Sequence, residues 1–387
     1  MTVKVDDFKD DLVALRRDIH RYPELAFEEK RTSDIVAGRL QSYGIEVNRG
    51  LGKTGVVGVL KAGNSSRAIG IRADMDALPI QEMNTFSHRS EFDGRMHACG
   101  HDGHTTMLLG AARYLAQTRA FNGTVYLIFQ PAEENEGGAR VMIEDGLFKK
   151  FPMSHVFGMH NMPGIPVGKF AMCHGPMMAA LDLFEIILVG KGTHAAMPHQ
   201  GVDTLVVAAH VITALQTIVS RNVDPQKSAV VSATQCHGGD TWNVIPNEVV
   251  IRGCVRSFLP EVRATLKHRM EEISRNISQA YGATAKYKHI EAYPPTVNSA
   301  DGVAAAAAAA GDVVGSENVD TDMVPLMASE DFAYMLEKKP GSYIMIGNGA
   351  GEGSCMVHNP SYDFNDSILT IGAKYWTRLV ERQLAIL

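Results

Sequence analysis

Between Met96 and His104 the chain reads Met-His-Ala-Cys-Gly-His-Asp-Gly-His, a run in which cysteine and histidine recur at spacings suited to holding a metal. Thiolate and imidazole are transition-metal ligands. Cys99 and His101 stand two apart, and Gly100 and Gly103 argue against a helix through the stretch. An extended segment is therefore expected, in which residues i and i+2 point to the same side and both reach one site. His97 and His104 would share a face with His101 only if the stretch were helical. Alone, a Cys-x-His pair is a weak signal, because an isolated histidine is ordinarily a surface residue or a satisfied core residue.

Three further pieces strengthen it. The apolar run Thr-Val-Tyr-Leu-Ile-Phe-Gln ends in Pro131, Ala132, Glu133 and Glu134, which sets two adjacent carboxylates at the carboxyl end of an expected strand. Neighbouring side chains there diverge. One can bind a cation while the other faces water as a base, the division of labour that metal-assisted hydrolysis needs. A second apolar run, His-Val-Phe-Gly-Met-His, ends at His160. His358 follows the strand Ser-Tyr-Ile-Met-Ile-Gly and a glycine-rich loop. Each group taken singly has a structural explanation, but four candidate ligand groups at the ends of strands of one sheet form a pattern.

The elements that must position these groups alternate between strand and helix. Residues 6–25 carry helical periodicity that stops at Pro23, residues 104–119 form a second helix, and 54–63, 67–80 and 123–134 contain short apolar runs bounded by Gly, Pro or charge. This is the signature of an α/β domain with a mainly parallel sheet, in which ligands collect beyond the carboxyl ends of the strands. From Leu181 the order changes to strand, helix, strand, strand, helix, strand, with Asp203 as an N-cap and Pro260 opening the second helix. That βαββαβ order is the split unit of a ferredoxin-like domain. Residues 181–291 are expected as an inserted lid or dimerisation domain, and residues 1–180 with 292–387 as the catalytic domain.

Composition sets the outer bounds. A net charge of -6 provides no basic footprint for nucleic acid, and no apolar run is expected to cross a bilayer. The acidic start Met-Thr-Val-Lys-Val-Asp-Asp lacks the apolar core of a signal peptide. Five scattered cysteines argue for reduced thiols and a cytoplasmic setting.

The segments HRYPELAFEE, GIRADMDALPI, HACGHDGH, QPAEE, GMHN, KGTHAAMPHQGVDTL, NVIPN and HNPSYDFND, in this order along the chain, resemble the amidohydrolase branch of the two-metal aminoacylase and carboxypeptidase superfamily, which includes hippurate hydrolase and the hydrolases of indole-acetyl amino acids. The resemblance implies that Cys99 bridges two divalent ions, with His101, Glu134, His160 and His358 as the other ligands and Glu133 as the general base. Asp76 falls where relatives carry a second-shell or clamping aspartate. Thiolate, imidazole and carboxylate together suit zinc, cobalt or nickel, with manganese open to loading by availability.

In the inserted domain the resemblance makes His194 the residue that reaches across a homodimer to stabilise the oxyanion, with His199 in reserve. Dimers pairing into tetramers remain open. Asn243 and Arg256 match positions that bind the substrate's carbonyl and carboxylate, a task suited to the planar guanidinium fork. Ala328, Trp242 and Ala180 depart from the usual pattern and bear on the acyl pocket, where Trp242 is expected to favour an aromatic acyl group by stacking. The implied activity is cleavage of N-acyl-L-amino acids to a carboxylic acid and a free amino acid. The alternative is a dipeptidase or carboxypeptidase using the same site.

Overall fold

A computed structural model describes residues 3–134, 136–349 and 355–386. The chain divides into two compact units, one comprising Met1–Met177, Thr296–Val324 and Asp331–Leu387, the other Met178–Pro295 and Pro325–Glu330. The short piece Pro325–Glu330 thus groups with the second unit. Its link is local: the Ala179 amide donates to Leu326 O at 3.1 Å and to Ala328 O at 2.9 Å.

The first unit is built on an eight-stranded sheet, in the order Glu46–Leu51, Gly55–Ala62, Gly123–Gln130, Ala68–Asp74, His155–Pro163, Gly341–Gly349, Phe170–Ala171, Val319–Asp320. The four central strands run parallel. Their sequences are nearly continuous apolar runs, as expected where helices cover both faces of a parallel sheet. Gly123–Gln130 and Ala68–Asp74 are buried at every position. The helices Lys9–Arg21, His101–Thr118, Ala300–Val314 and Leu369–Gln383 supply much of the surrounding core.

The second unit is a four-stranded antiparallel sheet, in the order Ala229–His237, Glu248–Ser257, Ala180–Val189, Thr284–Tyr293, packed with the helices Thr204–Arg221 and Pro260–Ala280. This is the ferredoxin-like arrangement. The Asp203 carboxylate caps its helix, accepting from Leu205 N and Val206 N, and Pro260 opens the other. By length and composition alone Thr204–Arg221 is long and apolar enough to cross a membrane. Its buried residues Thr204, Val207, Ala208, Val211, Leu215 and Ile218 recur at helical spacing, the pattern of a helix lying with one face on a sheet.

Candidate metal centre

The segment around Cys99 is not extended throughout. The helix starts at His101, with Gly100 at its N-cap in a left-handed conformation (φ +95°). Both glycines are there because space forbids anything larger. A Cβ on Gly100 would lie 2.2 Å from Asn161 Nδ2, and one on Gly103 2.2 Å from the Phe364 ring. The glycines that argued against a helix therefore serve close packing at its first turn. As a result His101 and His104 share a helix face, their ring centroids 5.5 Å apart.

Cys99 sits in the loop just before this turn. The sulfur belongs to two triads whose ligand atoms all lie within 4.8 Å of one another, Cys99–His101–His160 and Cys99–Glu134–His358. Cys99 Sγ is 3.3 Å from His160 Nε2, and Glu134 Oε1 is 3.0 Å from His358 Nε2. A third group brings Glu133 to His101 and Glu134 within the same limit. The turn Pro131–Glu134 leaves the strand Gly123–Gln130, as expected, with Ala132 at φ +54°, but one oxygen of each carboxylate comes within 4.8 Å of the other and of His101, so the two side chains do not simply diverge. His358, also left-handed at φ +66°, is held against the Cys99 loop by its amide, which donates to Ala98 O at 2.7 Å. The glycine-rich loop before it, residues 350–354, lies outside the described residues.

These donors fit metal ions better than they fit one another. Among the described residues His101 Nε2 is buried with no hydrogen-bond partner, and buried Glu134 Oε1 has its 3.0 Å approach to His358 Nε2 but no well-formed hydrogen bond, a costly condition for groups of this polarity unless a cation satisfies them. Two triads meeting at one sulfur match a thiolate shared by two ions. Burial, with Glu134 and Glu133 close by, pushes the Cys99 thiol well above its usual range, so a local positive charge is what would make it a thiolate. Burial and the neighbouring His104 hold His160 well below the usual histidine range, leaving a neutral imidazole ready to ligate. His101 differs: burial pulls it down, but Asp74 and Asp76 outweigh that and raise it to about 10. A cation at Nε2 would take the place of its second proton.

Around these ligands stands a layer that the sequence reading largely missed. Asp76, which it had singled out, accepts from His101 Nδ1 at 3.2 Å and from the Glu134 amide at 2.9 Å. It thereby fixes the His101 tautomer with Nε2 facing the site. Asn161 donates through Nδ2 to Cys99 O at 2.6 Å, and its Oδ1 accepts from the Tyr362 hydroxyl at 2.6 Å. The Asn161 amide donates to His104 Nε2 at 3.0 Å, so His104 carries its proton on Nδ1 and donates it to Asp74 at 2.6 Å. Asp74 also pairs with Arg72 at 2.6 Å, and Arg72 reaches Asp331 at 3.1 Å. The available signal was adjacency: Asn161 follows His160, and Asp74 opens the Asp-Met-Asp run. His97 is buried, and neither of its ring nitrogens has a partner among the described residues.

His194, Asn243 and Arg256 lie in the second unit. His194 and Val244 pair across the ribbon of Thr193–His194 with Val244–Ile245, and the Ala195 amide donates to Asn243 O at 2.9 Å, which brings His194 and Asn243 side by side. His194 Nδ1 accepts from the Ala196 amide at 3.0 Å, leaving the proton on Nε2. Arg256 donates through Nη1 to Met327 O at 2.8 Å and to Ser329 Oγ at 2.9 Å. Trp242 is fully exposed.

Comparison with known proteins agrees with the resemblance seen in the sequence. Residues 70–382 match the family described as Peptidase family M20/M25/M40. The chain is 44% identical to the hippurate hydrolase of Campylobacter jejuni, covering 98% of each chain. It is 38% identical to thermostable carboxypeptidase 1 of Saccharolobus solfataricus, covering 95% of this chain and 94% of that one. Among solved structures, a dinuclear metal binding peptidase from the M20 family of Bacillus subtilis superposes with a TM-score of 0.85 at 36% identity, covering 99% of this chain and 100% of that one.

Proposed function

The chain belongs to peptidase family M20/M25/M40 and is a metal-dependent amidohydrolase, and from that premise we propose that it cleaves the amide bond of N-acyl-L-amino acids, releasing a carboxylic acid and a free amino acid. One observation carries the reading: two ligand triads meet at Cys99 with the Glu133 carboxylate beside His101 and Glu134. A site that only held metal for structural purposes would have closed tetrahedra and no adjacent base.

Cys99, His101, Glu134, His160 and His358 would hold the two divalent ions, a donor set that suits zinc, cobalt, nickel or, where availability favours it, manganese. When bound, the ions supply Lewis-acid polarisation of the amide carbonyl and a lower pKa for the attacking water. Glu133 takes the proton from that water as its oxygen attacks the carbonyl carbon. The same carboxyl returns the proton to the amide nitrogen as the C–N bond breaks. His194, with its proton on Nε2, donates to the oxygen on which negative charge develops. Arg256 is anchored through Nη1, and among the described residues its hydrogen bonds all fall there, which leaves Nη2 to meet the substrate carboxylate beside Asn243. Following the resemblance, we read the enzyme as a homodimer in which His194 serves the partner's centre. Free cysteines throughout, with a thiolate ligand among them, suit the reducing cytoplasm.

The enzyme is reconstituted with each of the four metals and assayed on hippurate, other N-acyl amino acids and free-amine dipeptides. Blocked amines are expected to be preferred by tenfold or more in kcat/KM, roughly the discrimination one buried contact provides. The similarity to a carboxypeptidase favours a second reading, cleavage of unblocked peptides by the same residues. A preference for dipeptides would select it. Glu133→Gln is expected to keep two ions and lose activity by about 10²–10⁴-fold, the range of general-base contributions; an active variant would refute the base assignment.

A further inference from the structure

Glu29 lies outside the region matched by the family and outside the metal centre, yet its buried carboxylate is spent on the turn that carries Glu133. It sits at the start of the helix Lys30–Ser42 but does not cap it. Its Oε1 accepts from the Ala132 amide at 2.8 Å and from the Phe27 amide at 3.0 Å, while Oε2 accepts from the Thr54 hydroxyl at 2.6 Å. Burial raises its pKa to about 7, which shows how reluctantly charge is placed here.

The turn needs such a hold. Ala132 occupies the left-handed region at φ +54°, where a residue with a Cβ persists only if its surroundings impose it. Its carbonyl accepts from the Gly138 amide at 2.9 Å, and two residues on the Glu134 amide donates to Asp76 at 2.9 Å. Glu133 stands between these fixed points. Without the acceptor at the Ala132 amide, the Pro131–Ala132 peptide plane is free to turn and Ala132 to relax from φ +54° toward an ordinary conformation, and the Glu133 carboxylate that follows it swings with the turn.

We propose that Glu29 is a positioning residue for the hydrolytic reaction: by accepting the Ala132 N–H it holds the left-handed turn that aims the Glu133 carboxylate. The proposal rests on the reading of Glu133 as general base. The role needs an oxygen acceptor and not a charge, because an amide oxygen in the same place accepts the same two backbone N–H groups while its NH₂ donates to Thr54.

The test compares Glu29→Leu, Glu29→Asp and Glu29→Gln in the metal-loaded full-length enzyme, using hippurate, with metal content and thermal unfolding measured on the same samples. Glu29→Leu is expected to lower kcat by about 10–100-fold, the loss that a misplacement near 1 Å produces, with KM within about twofold and two ions still bound. Glu29→Asp, which withdraws the acceptor by one methylene and keeps the fold if the leucine variant does not, should lose kcat with KM unchanged. Glu29→Gln should restore kcat to within about threefold of the parent. Loss of metal in step with activity, a raised KM at unchanged kcat, or a glutamine variant as impaired as leucine would each overturn the proposal. Combining Glu29→Leu with Glu133→Gln separates the two readings. If Glu29 acts through Glu133, the leucine adds no further loss to the glutamine variant, and a fully multiplicative loss contradicts it. A Glu133→Gln enzyme that stays active instead removes the base assignment by itself.

Discussion

At the scale of single residues, sharing and exposure rank the ligands. Cys99 is the atom common to both triads, while His358 serves one of them and is 51% exposed at its side chain. Cys99→Ala should therefore lose both ions, whereas His358→Ala should retain the ion of the buried triad with His101 and His160. Elemental analysis after dialysis checks this: below one ion per chain for the first variant and about one for the second. Equal stoichiometry in the two variants would mean that the sulfur is not shared. The candidate ligand groups were legible from the sequence because metal chemistry restricts residue types so strongly that a few cysteines, histidines and glutamates stand out. The groups that orient them were not. Asn161, His104 and Tyr362 act through partners far away in sequence, and an asparagine or tyrosine has too many ordinary uses to declare such a role.

Secondary elements are legible where one period dominates, and less so where packing overrides propensity. The alternating strands and amphipathic helices of the second unit follow from pattern, and the Asp203 cap and Pro260 start follow from the chemistry of helix ends. The first turn of His101–Thr118 was misread, since glycine's poor helix propensity was outweighed by Asn161 and Phe364 pressing on the backbone. That helix also docks through a buried charge cluster. Arg16 and His20 of Lys9–Arg21 meet Asp102 at 3.5 Å and 2.9 Å, His20 Nε2 reaches Glu82 at 3.2 Å, and Arg16 continues to Asp366 at 2.7 Å. Burial pulls His20 down, but Asp102 and Glu82 prevail and raise it to about 9. A folded-state value above the unfolded one means the stabilisation is complete below pH ~6.5 and is lost as pH rises through about 9. Stability should accordingly fall by on the order of 2–3 kcal/mol across that window. Urea midpoints measured from pH 6 to 9.5 test this. His20→Leu should be less stable throughout and flatter in pH; an equally steep variant would place the titration elsewhere.

For the whole molecule, what the sequence left open is how surfaces are used, because surface residues are constrained by partners and not by the fold. In the second unit Met197, Leu205, Val206, Val244 and Trp242 are exposed apolar side chains near His194 in sequence or across its ribbon, Trp242 wholly so. Apolar side chains left in water are what a second copy of the chain would cover. If His194 of one subunit serves the centre of the other, two defects on different chains should compensate. Glu133→Gln and His194→Ala homodimers are each expected to be nearly inactive. After subunit exchange, a hybrid holds one centre with both Glu133 and the partner's His194 intact, and one with neither. Random exchange makes half of all dimers hybrid, each with one working centre of two, so recovery should approach a quarter of the parent's activity. Exchange is followed independently by mass spectrometry of differently tagged chains. Exchange without recovery would confine His194 to its own chain or remove it from the reaction, and the single variants distinguish these, since in the second case His194→Ala retains its kcat.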